Sequence, residues 1–195
     1  LGQVDAFLER TPARLALAGS YGASPDHGPQ GDEGSSVVSE ITTGFSLSRE
    51  DEQLRRENLK TVEYYMTLRG PERRNKRAPL FAENADFELT FTAACVPFGK
   101  AAMEWNTVGD FEMFPDWGFY HIEIYQTQNP NMFFVECDGR GKMILKNEPK
   151  SDRTYENHYI ISFEMEHGKI KRLREIHNPC CLMRALGIPI PAVPL

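Results

Sequence analysis

Strict alternation along Lys169–His177 puts Leu173, Glu175 and His177 on one face of a strand and Arg172, Arg174 and Ile176 on the other. A carboxylate on an apolar face is poorly solvated, and desolvation moves carboxyl groups toward the neutral range that general acids and bases use. Two readings stay open for Glu175: it points inward as an acid/base group, or it faces solvent or pairs with a neighbouring arginine. Tyr155 and Tyr159 share one face of the preceding strand and could supply phenolic hydrogen bonds there, or simply pack. The five histidines (His27, His121, His158, His167, His177) are scattered, and each is expected to be a surface or hydrogen-bonded structural residue. The four cysteines (Cys95, Cys137, Cys180, Cys181) form no CxxC and no zinc spacing, so reduced thiols are expected, some of them buried. Arg73, Arg74, Lys76 and Arg77 form a basic run expected to be a solvated face. No phosphate loop, GxSxG elbow or HExxH motif occurs.

What remains is a cavity type of site, and the elements that would build one are legible. Ser48 followed by Asp51 resembles a helix start, and apolar residues then recur from Leu54 to Leu68 before Gly70-Pro71. This predicts an amphipathic helix over about 49–69. Asp86–Thr92 alternates as a strand, and 100–113 reads as a helix. Strands are predicted from Trp117 to the turn at Asn129-Pro130, over 132–145 with a bulge at Asp138–Gly141, over 155–165, and over 169–177. Helices followed by long sequential strands indicate an α+β domain, with helices packed on a strongly curved antiparallel sheet whose open mouth is the expected ligand site.

Length and composition bound the rest. A chain of 195 residues suits one domain, and 41% hydrophobic with 26% charged residues is ordinary for a globular protein. The stretch 19–36 offers only Tyr21 and Ala23 as apolar groups. Residues 1–48 are therefore expected to be a flexible extension, and 49–195 the folded domain. The net charge of -6 argues against nucleic acid as a partner. Residues 1–48 carry six acids and two bases, so they supply -4 of it, leaving the folded part nearly neutral. No run of 18 apolar residues occurs, so no membrane partner is expected. No basic start with a continuous apolar stretch is present to suggest a signal peptide, and a cytoplasmic location follows from the cysteine usage.

The segments VEYYMTLRG (Val62–Gly70), FPDW (Phe114–Trp117), IEIYQTQNPNMFFVECDGRGKMIL (Ile122–Leu145), YENHYIISFEMEHGKIKRLREIHNPC (Tyr155–Cys180) and RALGIPIP (Arg184–Pro191) resemble the A/B proteins of phenazine biosynthesis, from about residue 50 to the C-terminus. The resemblance implies a cone-shaped fold like nuclear transport factor 2 and ketosteroid isomerase, usually paired as a homodimer through its sheet. It implies condensation of two molecules of an aminated oxocyclohexene carboxylic acid, a small cyclic amino-keto acid, into a tricyclic phenazine precursor. No metal and no organic cofactor is implied. By this resemblance Glu175 is the acid/base group, Tyr155 an active-site tyrosine and Arg77 a substrate-binding arginine. A histidine and a serine that the family places four residues apart correspond here to Asn106 and Asp110, which would shape the same pocket. Asn106 cannot shuttle a proton at neutral pH, and Asp110 adds a negative charge. The alternatives are an isomerase or dehydratase acting on another natural-product intermediate, a catalytically weak ligand-binding paralogue, and a dimerising adaptor of the same fold with a sealed interior.

Overall fold

Residues 46–89, 99–100, 112–145 and 153–190, and the backbone of 37–40, are described by the computed structural model. All lie within one unit, Glu33–Leu195. Helix α1 (Arg49–Thr67) begins where Ser48, in extended conformation, accepts the Asp51 N–H at 3.0 Å. Glu50, Asp51 and Glu52 place negative charge at the positive end of the helix. Its buried residues Asn58, Val62, Tyr65 and Met66 follow the i, i+4, i+7, i+8 spacing of one helical face. Gly70 then turns the chain at φ +47°, and its N–H donates to the Trp117 carbonyl at 2.9 Å. A short helix α2 (Glu72–Lys76) and a 3₁₀ turn (Ala78–Leu80) lead into the sheet.

The strands are β1 (Val37–Glu40), β2 (Phe81–Leu89), β3 (Gly118–Gln126), β4 (Met132–Lys142), β5 (Thr154–Glu166) and β6 (Lys169–His177), in the spatial order β1-β3-β4-β5-β6-β2. The predicted meander is β3 to β6, all antiparallel. The expectation of an antiparallel sheet needs correction at both edges, where β1 joins β3 and β2 joins β6 in parallel. Parallel neighbours need long connections, and both edge strands lie far along the chain from their partners. Strand β1 also falls in the segment read from sequence as a flexible extension. Helix α3 (Pro179–Leu186) packs on β5. It is capped by the Asn178 side chain at one end and closed at the other by Gly187 at φ +72°. Among the described residues, no helix is long and apolar enough to cross a membrane.

Helix α1 lies against β3 and β6. Tyr65 meets Phe163 edge-on at 5.4 Å and Phe81 at 6.0 Å. Asn58, fully buried, donates to the Pro130 carbonyl and to Asn131 Oδ1, which pins the helix to the β3–β4 turn. Alternation along the strands sends Phe133, Val135 and Cys137 of β4, Tyr155, Tyr159, Ile161 and Phe163 of β5, and Leu173 of β6 to this helix-covered inner face.

The bulge expected at Asp138–Gly141 is absent: β4 pairs with β5 without interruption from Met132 to Lys142. The glycines have another cause. A Cβ at Gly139 would overlap Trp117 Cζ2 and stand 2.8 Å from Tyr159 Cε2, while one at Gly141 would stand 3.0 Å from Trp117 Cα. The strand is bare there so that the indole can lie on it. The register shifts instead occur in β3 (Tyr120/Glu123), β2 (Phe81/Asp86) and at the β5–β6 turn (Glu164/Met165), and such irregularities bend and twist strands. Gly139→Ala is therefore expected to destabilise the protein by about 1–3 kcal/mol, because the ring cannot move without displacing its neighbours. Chemical denaturation of the two proteins measures this.

Candidate functional site

The inner face changes character along its length. Where α1 crosses, it is filled by Tyr65 against Phe163. Further along β5 and β6 it carries polar groups inside an aromatic wall. Trp117 stacks on Tyr155 at 5.5 Å and meets Tyr159 edge-on at 5.9 Å, and Phe114 and Phe119 complete the wall. The wall explains the FPDW segment, which supplies Phe114 and Trp117.

Tyr155 is buried, and its hydroxyl lies 3.1 Å from the Tyr159 hydroxyl. Asn157 Nδ2 donates to Tyr155 Oη at 2.8 Å and to the Asn178 carbonyl at 2.8 Å. The two phenols and the end of β6 thus form one hydrogen-bonded chain. Burial raises the Tyr155 pKa, and the Glu175 carboxylate pushes the same way. The phenol is held protonated and can act as a donor.

Glu175 lies on the face of β6 that carries Leu173 and His177, opposite Ile161 of β5 and Leu89 of β2. Its field reaches Tyr155 and also the Cys137 thiol, whose pKa burial raises first and Glu175 raises further. Arg172 and Arg174, the neighbours that could have drawn it outward, lie 3.6 Å and 3.0 Å from Glu88. Glu175 itself is half-buried on this face.

The basic run is not a uniform solvated face. Arg74 and Lys76 are exposed, and Lys76 pairs with Glu72. Arg73 and Arg77 are buried. Arg73 donates to the Phe114 carbonyl and so supports the aromatic wall. Arg77 follows α2, with its guanidinium 4.4 Å from the Tyr65 ring centre and 5.5 Å from that of Phe119. Its Nε and Nη2 are buried without a hydrogen-bond partner among the described residues. Burying a cation with unused donors is costly, and an anion that met those donors would offset part of the cost. Arg77 opposes the rise of the Cys137 thiol pKa that Glu175 promotes, so both charges act on one point of the interior. The structure thus brings Glu175, Tyr155 and Arg77 to the same region. Asn106 and Asp110, and the helix expected around them, lie outside the described residues.

The histidines divide. His27 lies outside the described residues. On the outer face His121 and His158 both bond Asp138, at 2.7 Å and 2.9 Å, and His158 also bonds Glu136. The bond to Asp138 raises the His158 pKa, as a structural histidine pair would show. His167 sits exposed in the β5–β6 turn. His177 departs from the expectation: it is 8% exposed, and its Nδ1 is buried with no hydrogen-bond partner among the described residues. The signal that could have singled it out was the alternation that placed it beside Glu175. Cys137, Cys180 and Cys181 are free thiols. No group of three or more His, Cys, Asp or Glu among the described residues is arranged to hold a metal ion. A separate groove of about 660 Å³, lined by Arg153, Glu156, Cys181 and Arg184 among others, opens between β5 and α3.

The family model for phenazine biosynthesis protein A/B matches residues 39–194. The phenazine biosynthesis protein PhzB of Pseudomonas fluorescens is 41% identical over 147 residues, covering 74% of this chain and 89% of that protein. PhzA2 of Pseudomonas aeruginosa is 41% identical over 144 residues, covering 72% and 87%. Among solved structures, a phenazine biosynthesis-related protein (phzb2) from Pseudomonas aeruginosa superposes with a TM-score of 0.68 at 39% identity, covering 75% of this chain and 95% of that one. An NTF2-like protein from Anabaena variabilis shares the fold at 16% identity and a TM-score of 0.50, covering 69% and 96%.

Proposed function

Given that the chain belongs to the phenazine biosynthesis protein A/B family, we propose that it is an enzyme of phenazine biosynthesis that condenses two molecules of an aminated oxocyclohexene carboxylic acid into a tricyclic precursor, without a cofactor. The observation that carries this reading is Arg77, a buried guanidinium with unused donors facing the same interior as the Glu175 carboxylate. A cation waiting for an anion, beside an acid/base group and inside an aromatic wall, suits a flat cyclic carboxylate whose ring undergoes proton-assisted chemistry.

Each role follows from the chemistry. The amino ketone reacts with a second copy of itself unaided, and the protein accelerates this by holding the two in register, which removes the entropic cost of their encounter. Arg77 anchors a substrate carboxylate. Glu175, as the carboxylic acid, protonates the departing hydroxyl of the carbinolamine, so that water leaves and a C=N bond forms. Tyr155, held protonated by burial, donates a hydrogen bond to substrate oxygen. Asn106 and Asp110 would shape the remaining wall. Mass spectrometry of freshly prepared amino ketone, with and without the protein, tests the reading: tricycle formation no faster with protein would defeat it.

The protein also pairs, in this reading, with a second copy through the outer face of the sheet. Phe134 and Ile160 are 40% and 44% exposed there, and Ile176 lies opposite Ile160. These form an apolar centre flanked by Glu136, Asp138 and Arg174, a composition that self-association would cover. Ile160→Asp is expected to shift the protein from dimer to monomer in sedimentation-velocity runs, and an unchanged dimer would refute this surface.

A further inference from the structure

Imine formation needs a group that gives a proton to oxygen and a group that takes one from nitrogen. Among the described interior residues, few can take a proton near neutrality. Cys137, Tyr155 and Tyr159 are thiol and phenols in a buried setting, with the Cys137 and Tyr155 pKa values both raised by burial. Arg73 and Arg77 are permanently charged. Glu175 is assigned to the giving side. His177 remains.

Its geometry fits the task. It sits two residues from Glu175 on the same face of β6, so the two Cβ atoms are about 7 Å apart. It lies opposite Tyr159 of β5 in register, with the rings 5.3 Å apart and inclined by 38°. Tyr159 in turn reaches Tyr155. Its Nδ1 is buried and unpartnered among the described residues, in a residue more than nine-tenths buried. A buried imidazole nitrogen with nothing to bond among the described residues carries a cost that a proton-bearing ligand group would relieve.

We propose that His177 is a second catalytic residue of this site, the base that takes protons from the substrate's amine nitrogen while Glu175 supplies them to oxygen. The inference rests on the condensing reading given above. In the first half the amine nitrogen attacks the ketone carbon, the C–N bond forms, and the carbonyl π pair moves to oxygen. Oxygen takes a proton from Glu175, and His177 takes one from nitrogen. The imidazolium returns its proton to the carboxylate. In the second half Glu175 protonates the hydroxyl, the C–O bond breaks with its electron pair leaving as water, and the nitrogen lone pair completes C=N. His177 takes the second nitrogen proton and passes it back. Two protons leave nitrogen and two arrive in water, with no oxidant or reductant.

His177 faces Tyr159 of β5, which reaches Tyr155 and lies opposite Cys137 of β4, and Glu175 stands two residues along its own strand. Burial alone accounts for its lowered pKa, so the imidazole stays neutral and available as a base through neutral pH.

Two variants and one spectroscopic signal test this. His177→Gln keeps much of the volume but cannot accept a proton, and should slow condensation at least 100-fold. It should also abolish the acid limb that the wild type shows below the ordinary imidazole range. His177→Gly should be slow and be restored several-fold by added imidazole, which no structural role predicts. In wild-type protein carrying ¹³C-labelled histidine, adding 3-aminocyclohexanecarboxylate should shift the His177 ring signal. Wild-type condensation with an unmoved ring signal, or a His177→Gln variant with unchanged rate and pH profile, overturns the proposal. Should the wild type bind the probe at His177 and yet fail to accelerate condensation, the proposed reaction falls while His177 keeps its place in the ligand site.

Discussion

Replacing Glu175 with glutamine is expected to slow condensation by about 10²–10⁴-fold while leaving the protein folded. Glutamine has nearly the same shape and still hydrogen-bonds, but it cannot give up a proton to a departing hydroxyl. The position is expected to tolerate the change because Glu175 is only half-buried, opposite Ile161 of β5 and Leu89 of β2. Because water loss is the step that needs the acid, the variant should accumulate the carbinolamine rather than fail to bind. Rapid-quench mass spectrometry distinguishes the two. A variant that binds and dehydrates at the wild-type rate would remove Glu175 from the mechanism.

Arg77→Met is expected to separate stability from function. Arg77 is 5% exposed, and two of its guanidinium nitrogens have no hydrogen-bond partner among the described residues, so removing it relieves a desolvated charge. Methionine can keep contact with Tyr65 and Phe119. Replacing buried charges with apolar groups of similar volume is often neutral or stabilising. Unfolding midpoints should therefore stay level or rise. Substrate binding should weaken by roughly 2–5 kcal/mol, the usual consequence of deleting one side of a buried charge pair. Titration calorimetry with a cyclic carboxylate, beside a thermal melt, measures both. Destabilisation with unchanged binding would mean that Arg77 is structural.

Much of this arrangement was legible in the sequence, for identifiable physical reasons. Strand β6 was read over its observed span because alternation is a local property. Helix α1 was read within two residues at its end, because Ser48 and the apolar spacing both act within a few turns. The parallel edges were not legible, since β2 and β6 pair across most of the domain and nothing local records it. Gly139 and Gly141 look like strand breakers until Trp117 is laid over them. Within the basic run, Arg73, Arg74, Lys76 and Arg77 are equivalent by composition. Only the fold separates the two that turn inward, and only their contacts separate Arg73, which bonds the Phe114 carbonyl, from Arg77, whose Nε and Nη2 have no hydrogen-bond partner among the described residues. His177 was overlooked for a similar reason: alternation put it beside Glu175, but an unpartnered nitrogen is visible only when the neighbours are.

The proposed reaction is the condensation of two amino ketones in the interior bounded by Arg77, Tyr155 and Glu175. Its most direct test is a mass-spectrometric time course of fresh aminated oxocyclohexene carboxylic acid with wild type, with Glu175→Gln and with no protein. A product of twice the substrate mass less two waters is expected to form fastest with wild type, while Glu175→Gln follows the protein-free rate. Equal rates in all three reactions would contradict it.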